Sequence, residues 1–429
     1  MENAVRDWRG RSYLPGPVPA DRTRMFWLAW GAMAAISPLQ YGYAALLAKE
    51  ATGLTLLAVW IACQAAGALP ALHLVRRGRL GVRTSLAAGA ALSFAGLAAA
   101  ALPLGAPGAF VGYALLGGLG AGLVYGVCGE VVSSWYPERP AARVGLITGA
   151  FGYGAVPLLV WAGIAPAATS TAFLVSAVVA LAVIGTAARH LRLPPALWWP
   201  EDVDPRSHAL DAARLRTTPE AARQFGPAQA LRTRTLPALA LILTCAGAVS
   251  VFDVIVVAGT GSWGALAVLV ALNGASRSVA MRCSELFGRR RVLAAVLAAL
   301  AAGQVLLAAA LTTAPAAMPA GAMPAGAGPV AAGGPLLWLG AVAAGLGGGA
   351  FYPLLASLVR EFFGVERAGE IHAVVYSAKA LAGAGAAALA LLALGTPVTA
   401  LGVAAALAAL PALAISRLRI PGLPATIPL

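Results

Sequence analysis

Apolar stretches long enough to cross a bilayer, broken by short Pro, Gly and Arg punctuation, recur along the whole chain. A helix needs about 20 apolar residues to span the ~30 Å hydrocarbon core. On that measure the pattern predicts spans near 25–48, 53–75, 84–104, 108–134, 141–164 and 168–189. Polar positions dominate from His190 to Arg234, and a second series follows near 235–258, 261–287, 291–313, 335–360, 368–394 and 396–417. The expectation is an all-α membrane protein of about twelve transmembrane helices in two six-helix bundles, 25–189 and 235–417. A tail of 1–24, a linker of 190–234 and a tail of 418–429 complete the plan. The Ala-, Pro- and Gly-rich stretch from Thr313 to Gly334 interrupts the second series as a low-complexity connection.

Composition makes lipid the solvent. Of 429 residues 60% are hydrophobic and 11% charged, where soluble domains carry about a quarter charged, and the mean hydropathy is +0.82. A net charge of +14 would suggest nucleic acid in a soluble protein. Here it follows the loops. Every second loop is basic: Arg6 to Arg24, Arg76 to Arg83, Arg139 and Arg143, Arg189 to Arg234, Arg289 to Arg291, Arg360 and Arg367, Arg417 and Arg419. The intervening loops hold only Lys49 among Lys and Arg. Basic loops stay on the cytoplasmic side, so a multi-pass protein of the cytoplasmic (inner) membrane is expected, with both termini and the linker cytoplasmic. The charge then reflects topology and contact with anionic lipid, with no nucleic-acid partner. The first apolar run, Met25 to Ala48, is long enough to remain as a span rather than act as a removable signal. Cys63, Cys128, Cys245 and Cys283 fall in apolar segments at irregular spacing, which reads as small buried residues rather than disulfides or metal ligands.

The two halves echo each other. Gly117-Gly118-Leu119-Gly120-Ala121-Gly122-Leu123-Val124-Tyr125 corresponds to Gly345-Leu346-Gly347-Gly348-Gly349-Ala350-Phe351-Tyr352, each in the fourth helix of its half. An aromatic pair and a basic loop follow each, Trp135-Tyr136-Pro137-Glu138-Arg139 and Phe362-Phe363-Gly364-Val365-Glu366-Arg367. Internal repeats of this size are a transporter signature, and glycines crowded at 117–122, 149–154 and 345–349 let helices approach and slide.

Charges inside spans need a reason, since each costs at least about 2.5–3.5 kcal/mol at mid-bilayer. Arg277 lies roughly 15 residues into the eighth span, about 22 Å from its outer end, and Lys379 roughly 11 residues into the eleventh, about 17 Å from the opposite side. Two cations at one depth repel unless an anion or acid lies between them. Two arrangements meet that demand. A carboxylate substrate is clamped, with Arg277 bidentate and Lys379 a point charge. Alternatively Arg277 pairs with Asp253 while Lys379 snorkels or pairs with Glu130. Gln40, Tyr41, Tyr125, Tyr153, Tyr352 and Tyr376 are placed to line the same cavity, or to pack ordinarily. Asp253 and Glu130, the acids well inside spans, are candidates for charge balance or for carrying a proton. The four histidines lie mostly at span ends or loops without a nucleophile, metal cluster or acid/base partner, so an enzyme, a metal and a cofactor are not expected.

These residues resemble the major facilitator superfamily, and within it the oxalate/formate antiporter family, over essentially both halves. Ser284-Glu285-Leu286-Phe287-Gly288-Arg289-Arg290 is similar to the superfamily's Gly-x-x-x-Asp-Arg-x-Gly-Arg-Arg loop, and Arg76-Arg77-Gly78-Arg79-Leu80-Gly81-Val82-Arg83 is a weaker copy lacking the usual acid. Ile36-Ser37-Pro38-Leu39-Gln40-Tyr41-Gly42-Tyr43 resembles the family's first span, and Trp135-Tyr136-Pro137-Glu138-Arg139 its Trp-Phe-Pro-Asp-Arg. The most specific match pairs Asn273-Gly274-Ala275-Ser276-Arg277 with Ser377-Ala378-Lys379. The resemblance implies a major facilitator fold and a carboxylate held between Arg277 and Lys379, with Gln40, Tyr41, Tyr125, Tyr153, Tyr352 and Tyr376 at the pocket positions. Gly348 stands where oxalate transporters of that family place a bulky aromatic, which predicts a wider pocket. The expected protein is a secondary transporter exchanging small carboxylate anions by alternating access, functional as a monomer in the bilayer. Proton-linked monocarboxylate symport by the same fold is the alternative.

Overall fold

A broken first helix and eleven helices of membrane-spanning length emerge where apolar runs meet Pro, Gly and Arg punctuation, in a computed structural model that describes residues 4–8, 10–214, 221, 223–313 and 334–422. Most of the low-complexity stretch between Thr313 and Gly334, residues 215–220 of the linker and residues 423–429 of the last tail lie outside the described residues. The first span, α1, runs Arg22–Ala35 and continues through a π-helical turn, Pro38–Gly42, into Tyr43–Leu46. The apolar pattern alone predicts an uninterrupted helix over 25–48. Pro38 supplies no N–H, and the Tyr43 N–H reaches back to the Pro38 carbonyl, so the turn widens. Eleven further helices are long and apolar enough to cross a membrane. In the first half they are α2 Ala51–Arg76, α3 Val82–Ala101, α4 Gly105–Trp135, α5 Pro140–Ile164 and α6 Pro166–His190. In the second half they are α7 Thr235–Gly259, α8 Trp263–Phe287, α9 Arg289–Thr313, α10 Pro335–Phe363, α11 Ala368–Gly395 and α12 Pro397–Arg417.

The halves meet along three seams, α5 on α8, α2 on α11, and the end of α1 on α7. The α5–α8 crossing is glycine on glycine. A Cβ on Gly152 would collide with the Gly274 Cα, so backbone rests on backbone there. At the far end from the linker the seam is filled, with Trp263 packed on Gly163. Toward the linker the halves part around a cavity.

The first tail and the linker, expected to be polar connections, are partly ordered. Val5–Arg6 (β1) pairs antiparallel with Ser12–Gly16 (β2), and β2 pairs parallel with linker residues Trp198–Pro200 (β3). This small sheet sits against the loop that follows α4. Arg22 donates to the Trp135 carbonyl at 2.8 Å, pairs with Glu138 at 2.5 Å and covers the Tyr136 ring at 4.0 Å. The Trp135 indole N–H donates to the Arg192 carbonyl at 2.7 Å. The Trp-Tyr-Pro-Glu motif is thus the fastening between bundle, tail and linker. Further along, Gln224 accepts from the Val365 and Glu366 N–H groups, and Phe225 packs on Phe363, so the linker grips the second half as well. Among the cysteines Cys128 is buried and the other three are partly buried, all four unpaired.

Candidate functional site

Two of the helices that build the central site, α1 and α11, are interrupted at the point of contact. α11 is interrupted at Ala378, between Ala368–Ser377 and Lys379–Gly395, so Lys379 heads its second segment. α1 contributes its π-helical turn, which carries Gln40 and Tyr41. Arg277 arrives from α8, one helical turn after Asn273. Arg277 is 1% exposed and Lys379 2% exposed. At that depth a cation must find every partner it has within the protein.

Those partners are neutral oxygens. The Arg277 guanidinium donates to the Thr148 carbonyl at 2.7 Å, to Asn273 Oδ1 at 3.2 Å and to the Tyr41 hydroxyl at 3.3 Å, and its Nε has no partner. The Lys379 ammonium donates to Gln40 Oε1 at 3.1 Å and to Gln64 Oε1. Both cations also face the same two rings. Arg277 lies 5.3 Å from the Tyr352 centroid and 6.0 Å from that of Phe151, and Lys379 lies 5.8 and 5.3 Å from them. A ring's negative π-face attracts a nearby cation.

The acids are engaged elsewhere. Glu130 takes a two-point bond from Arg76, at 3.0 and 2.9 Å, and Asp253 accepts from Gln304 at 2.5 Å. The pairings of Arg277 with Asp253 and of Lys379 with Glu130, which the sequence left open, are therefore absent among the described residues. No group of three or more His, Cys, Asp and Glu suited to a metal ion occurs among the described residues.

A cavity of about 210 Å³ leads from this cluster toward the linker end. Its inner wall carries Tyr125, Thr148, Tyr352 and Tyr376, and its mouth Arg76, Glu130 and Arg360. Tyr125 and Tyr376, one from each half, stack with centroids 5.5 Å apart across it. A second hollow, between Arg76 and Glu130 and linker residues Leu193 to Trp198, borders the same mouth.

No protein-family model and no curated protein matches the sequence. Solved structures do match in shape. A peptide transporter POT in complex with sulfate superposes with a TM-score of 0.67 at 15% identity, covering 93% of this chain and 94% of that one. The xylose transporter XylE from E. coli, in an inward open conformation, gives 0.63 at 14% identity, over 92% and 95%. The nucleoside transporter NupG gives 0.61 at 13%, over 92% and 99%. The fold is that of the major facilitator superfamily.

Within the major facilitator fold most of the sequence-predicted residues converge. Gln40, Tyr41, Tyr352, Arg277 and Lys379 meet, and Tyr125 and Tyr376 close the cavity beneath them. Tyr153 stands apart. Its hydroxyl accepts from the Trp30 indole at 2.9 Å and its ring packs on Gly274, at the α1–α5–α8 seam. Sequence reasoning missed Gln64, Phe151, Thr148 and Ser250. Gln64 and Ser250 are single polar residues in apolar runs, a weak signal of the same kind as the cations but without charge. Thr148 contributes a backbone carbonyl, which no side-chain pattern reveals. The wider pocket expected at Gly348 is also corrected. A Cβ there would lie 3.0 Å from both Asn273 Nδ2 and Ser250 Oγ, so a hydrogen-bonded polar pair already fills the space.

Proposed function

We propose that this protein is a secondary active transporter that moves small carboxylate anions across the cytoplasmic membrane by alternating access, as an exchanger of the oxalate/formate antiporter type. The observation that carries the reading is the pair Arg277 and Lys379. Both are buried, both face Tyr352 and Phe151, and both are held only by neutral oxygens. Two like charges in a medium of low effective dielectric repel, and an anion between them removes that repulsion. A carboxylate replaces neutral partners with charge-assisted ones, which are about twice as strong.

Exchange follows from the same charges. Turning the loaded carrier moves a neutralised site past the apolar core, whereas turning the empty one moves two uncompensated cations. Return without an anion is therefore slow, and transport is coupled to an anion moving the other way. The cavity opens toward the linker, and the basic loops support a cytoplasmic position for that side and for both termini. The arrangement thus corresponds to a carrier facing the cytoplasm, its outer seam filled by Trp263 on Gly163 and its middle by the Gly152–Gly274 crossing. The protomer supplies both halves of the site, so a monomer suffices.

The test is uptake of labelled oxalate, formate and larger mono- and dicarboxylates into proteoliposomes, with and without internal anion. Uptake in the wild type should need internal anion, and Arg277→Ala and Lys379→Ala should each abolish it. Normal transport by both variants would make the two charges structural.

A further inference from the structure

Asp253 on α7 and Gln304 on α9 are both wholly buried, away from the central cavity. The Gln304 amide nitrogen donates to Asp253 Oδ1 at 2.5 Å and more weakly to the Leu300 carbonyl at 3.4 Å. Two acceptors are left over. Asp253 Oδ2 and Gln304 Oε1 have no partner. Leaving two buried oxygens unsatisfied in one contact is costly, and an ionised carboxylate buried without a cation is costlier still. Turning the amide over does not help, because it would set oxygen against oxygen.

One proton on Asp253 Oδ2 resolves both deficits. The carboxylic acid then donates to Gln304 Oε1 while Gln304 Nε2 donates to Asp253 Oδ1, the reciprocal pair that an acid and a primary amide form. We propose that Asp253 and Gln304 are a proton-binding site of the carrier, occupied in this conformation. The proton comes from solvent and nothing leaves in exchange.

Among the described residues no cation bonds to Asp253, and α12, which also packs on α7, carries no charged residue between Pro397 and Ala414. Of the elements packed on α7, α8 brings Arg277, held by Thr148, Asn273 and Tyr41, and α11 brings Lys379, held by Gln40 and Gln64, with His372 and Tyr376 on the cavity side. Tyr352 and Arg360 of α10 face the cavity, Glu361 pairs with Arg289 of α9, and Tyr43 of α1 stacks on Tyr113. None of them bonds to Asp253 among the described residues.

The site is tied to the carrier's motion by its place. Ser250, one turn before Asp253 on α7, accepts from Asn273, which in turn accepts from Arg277. A shift that separates α7 from α9 breaks both bonds of the acid–amide pair, frees the proton and disturbs the arginine's support together. A neutral Asp253 also leaves Arg277 and Lys379 uncompensated for an anion, a consequence that rests on the carboxylate reading.

Infrared spectroscopy of the purified full chain tests the proton without reference to any substrate. Wild type at neutral pH should show the carbonyl stretch of a protonated carboxylic acid, shifted by isotopically labelled aspartate and lost in Asp253→Asn. The exchanged pair Asp253→Asn with Gln304→Glu should regain such a band, now insensitive to the aspartate label. If labelled aspartate shifts only ionised-carboxylate bands in the wild type, the proposal is overturned, and that result needs no variant to fold. Absence of carboxylate transport would overturn the functional reading and leave the infrared result untouched.

Discussion

Lys379, a cation of the second half, is held by two amide oxygens of the first, Gln40 Oε1 and Gln64 Oε1. On the carboxylate reading, these amides give the ammonium neutral oxygens where an anion would give charged ones. Gln64→Leu removes one partner and leaves a buried ammonium short of an acceptor. It should destabilise the empty carrier by about 1–3 kcal/mol, read as a lower unfolding temperature that added carboxylate largely restores. Gln64→Glu makes the opposite change by fixing a carboxylate beside Lys379. That variant should take up labelled anion into vesicles containing none. Strict dependence on internal anion in Gln64→Glu would separate Gln64 from the exchange mechanism.

The spans were legible because the bilayer demands long apolar runs, and nearly every boundary falls within a few residues of the punctuation. Arg277 and Lys379 were legible for the related reason that charge in a span is costly. Their partners were not. Gln64 meets Lys379 across more than three hundred residues of chain, and Asn273 touches Tyr41 across a comparable gap, so only the packed halves reveal them. The π-helical turn at Pro38–Gly42, which presents Gln40 and Tyr41, was not legible in the apolar run, because it depends on which carbonyl the Tyr43 N–H finds. The small sheet was hidden in segments whose polarity suggested only connection.

Glu130 bonds Arg76 at the cavity mouth and has no bond to Lys379. Its carboxylate is nearly buried while the arginine is 42% exposed, so the pair is partly screened. Glu130→Gln should therefore lower maximal transport by up to about tenfold, roughly 1.4 kcal/mol, and leave the KM for the anion unchanged. A KM raised by about tenfold or more, roughly 1.4 kcal/mol, would mean that Glu130 acts on the central site directly.

At the Gly152–Gly274 crossing, midway along α5 and α8 and one turn from Arg277 on the side toward Trp263, two backbones touch. Valine at position 152 cannot be accommodated without parting α5 from α8. Gly152→Val should shift the population toward outward-facing carriers, with exchange lost through trapping rather than misfolding. The readout is Ser262→Cys, at the outer start of α8 beside Trp263, which itself stays packed on Gly163. Its labelling by a membrane-impermeant reagent should rise by about tenfold in the Gly152→Val background, a shift of roughly 1.4 kcal/mol in the conformational balance. Unchanged labelling would show that the crossing does not control the outer seam.

Gly348 decides how Arg277 is held. Because residue 348 has no side chain, Asn273 Nδ2 donates to Ser250 Oγ at 3.1 Å, leaving Asn273 Oδ1 to accept from Arg277 and from the Tyr41 hydroxyl. Gly348→Ala places a methyl group against both ends of the Asn273–Ser250 bond, and Gly348→Trp must expel them. Ser250→Ala deletes the bond without adding volume. If the polar pair positions the arginine, Gly348→Ala and Ser250→Ala should weaken anion binding alike, by about 3- to 30-fold, matching roughly 0.7–2 kcal/mol for one lost buried hydrogen bond. If pocket width matters instead, Ser250→Ala should bind as wild type does, while Gly348→Ala excludes larger anions and spares small ones. Affinities of a graded series of dicarboxylates for the two variants separate these outcomes, since the first changes every affinity by the same factor and the second changes their order.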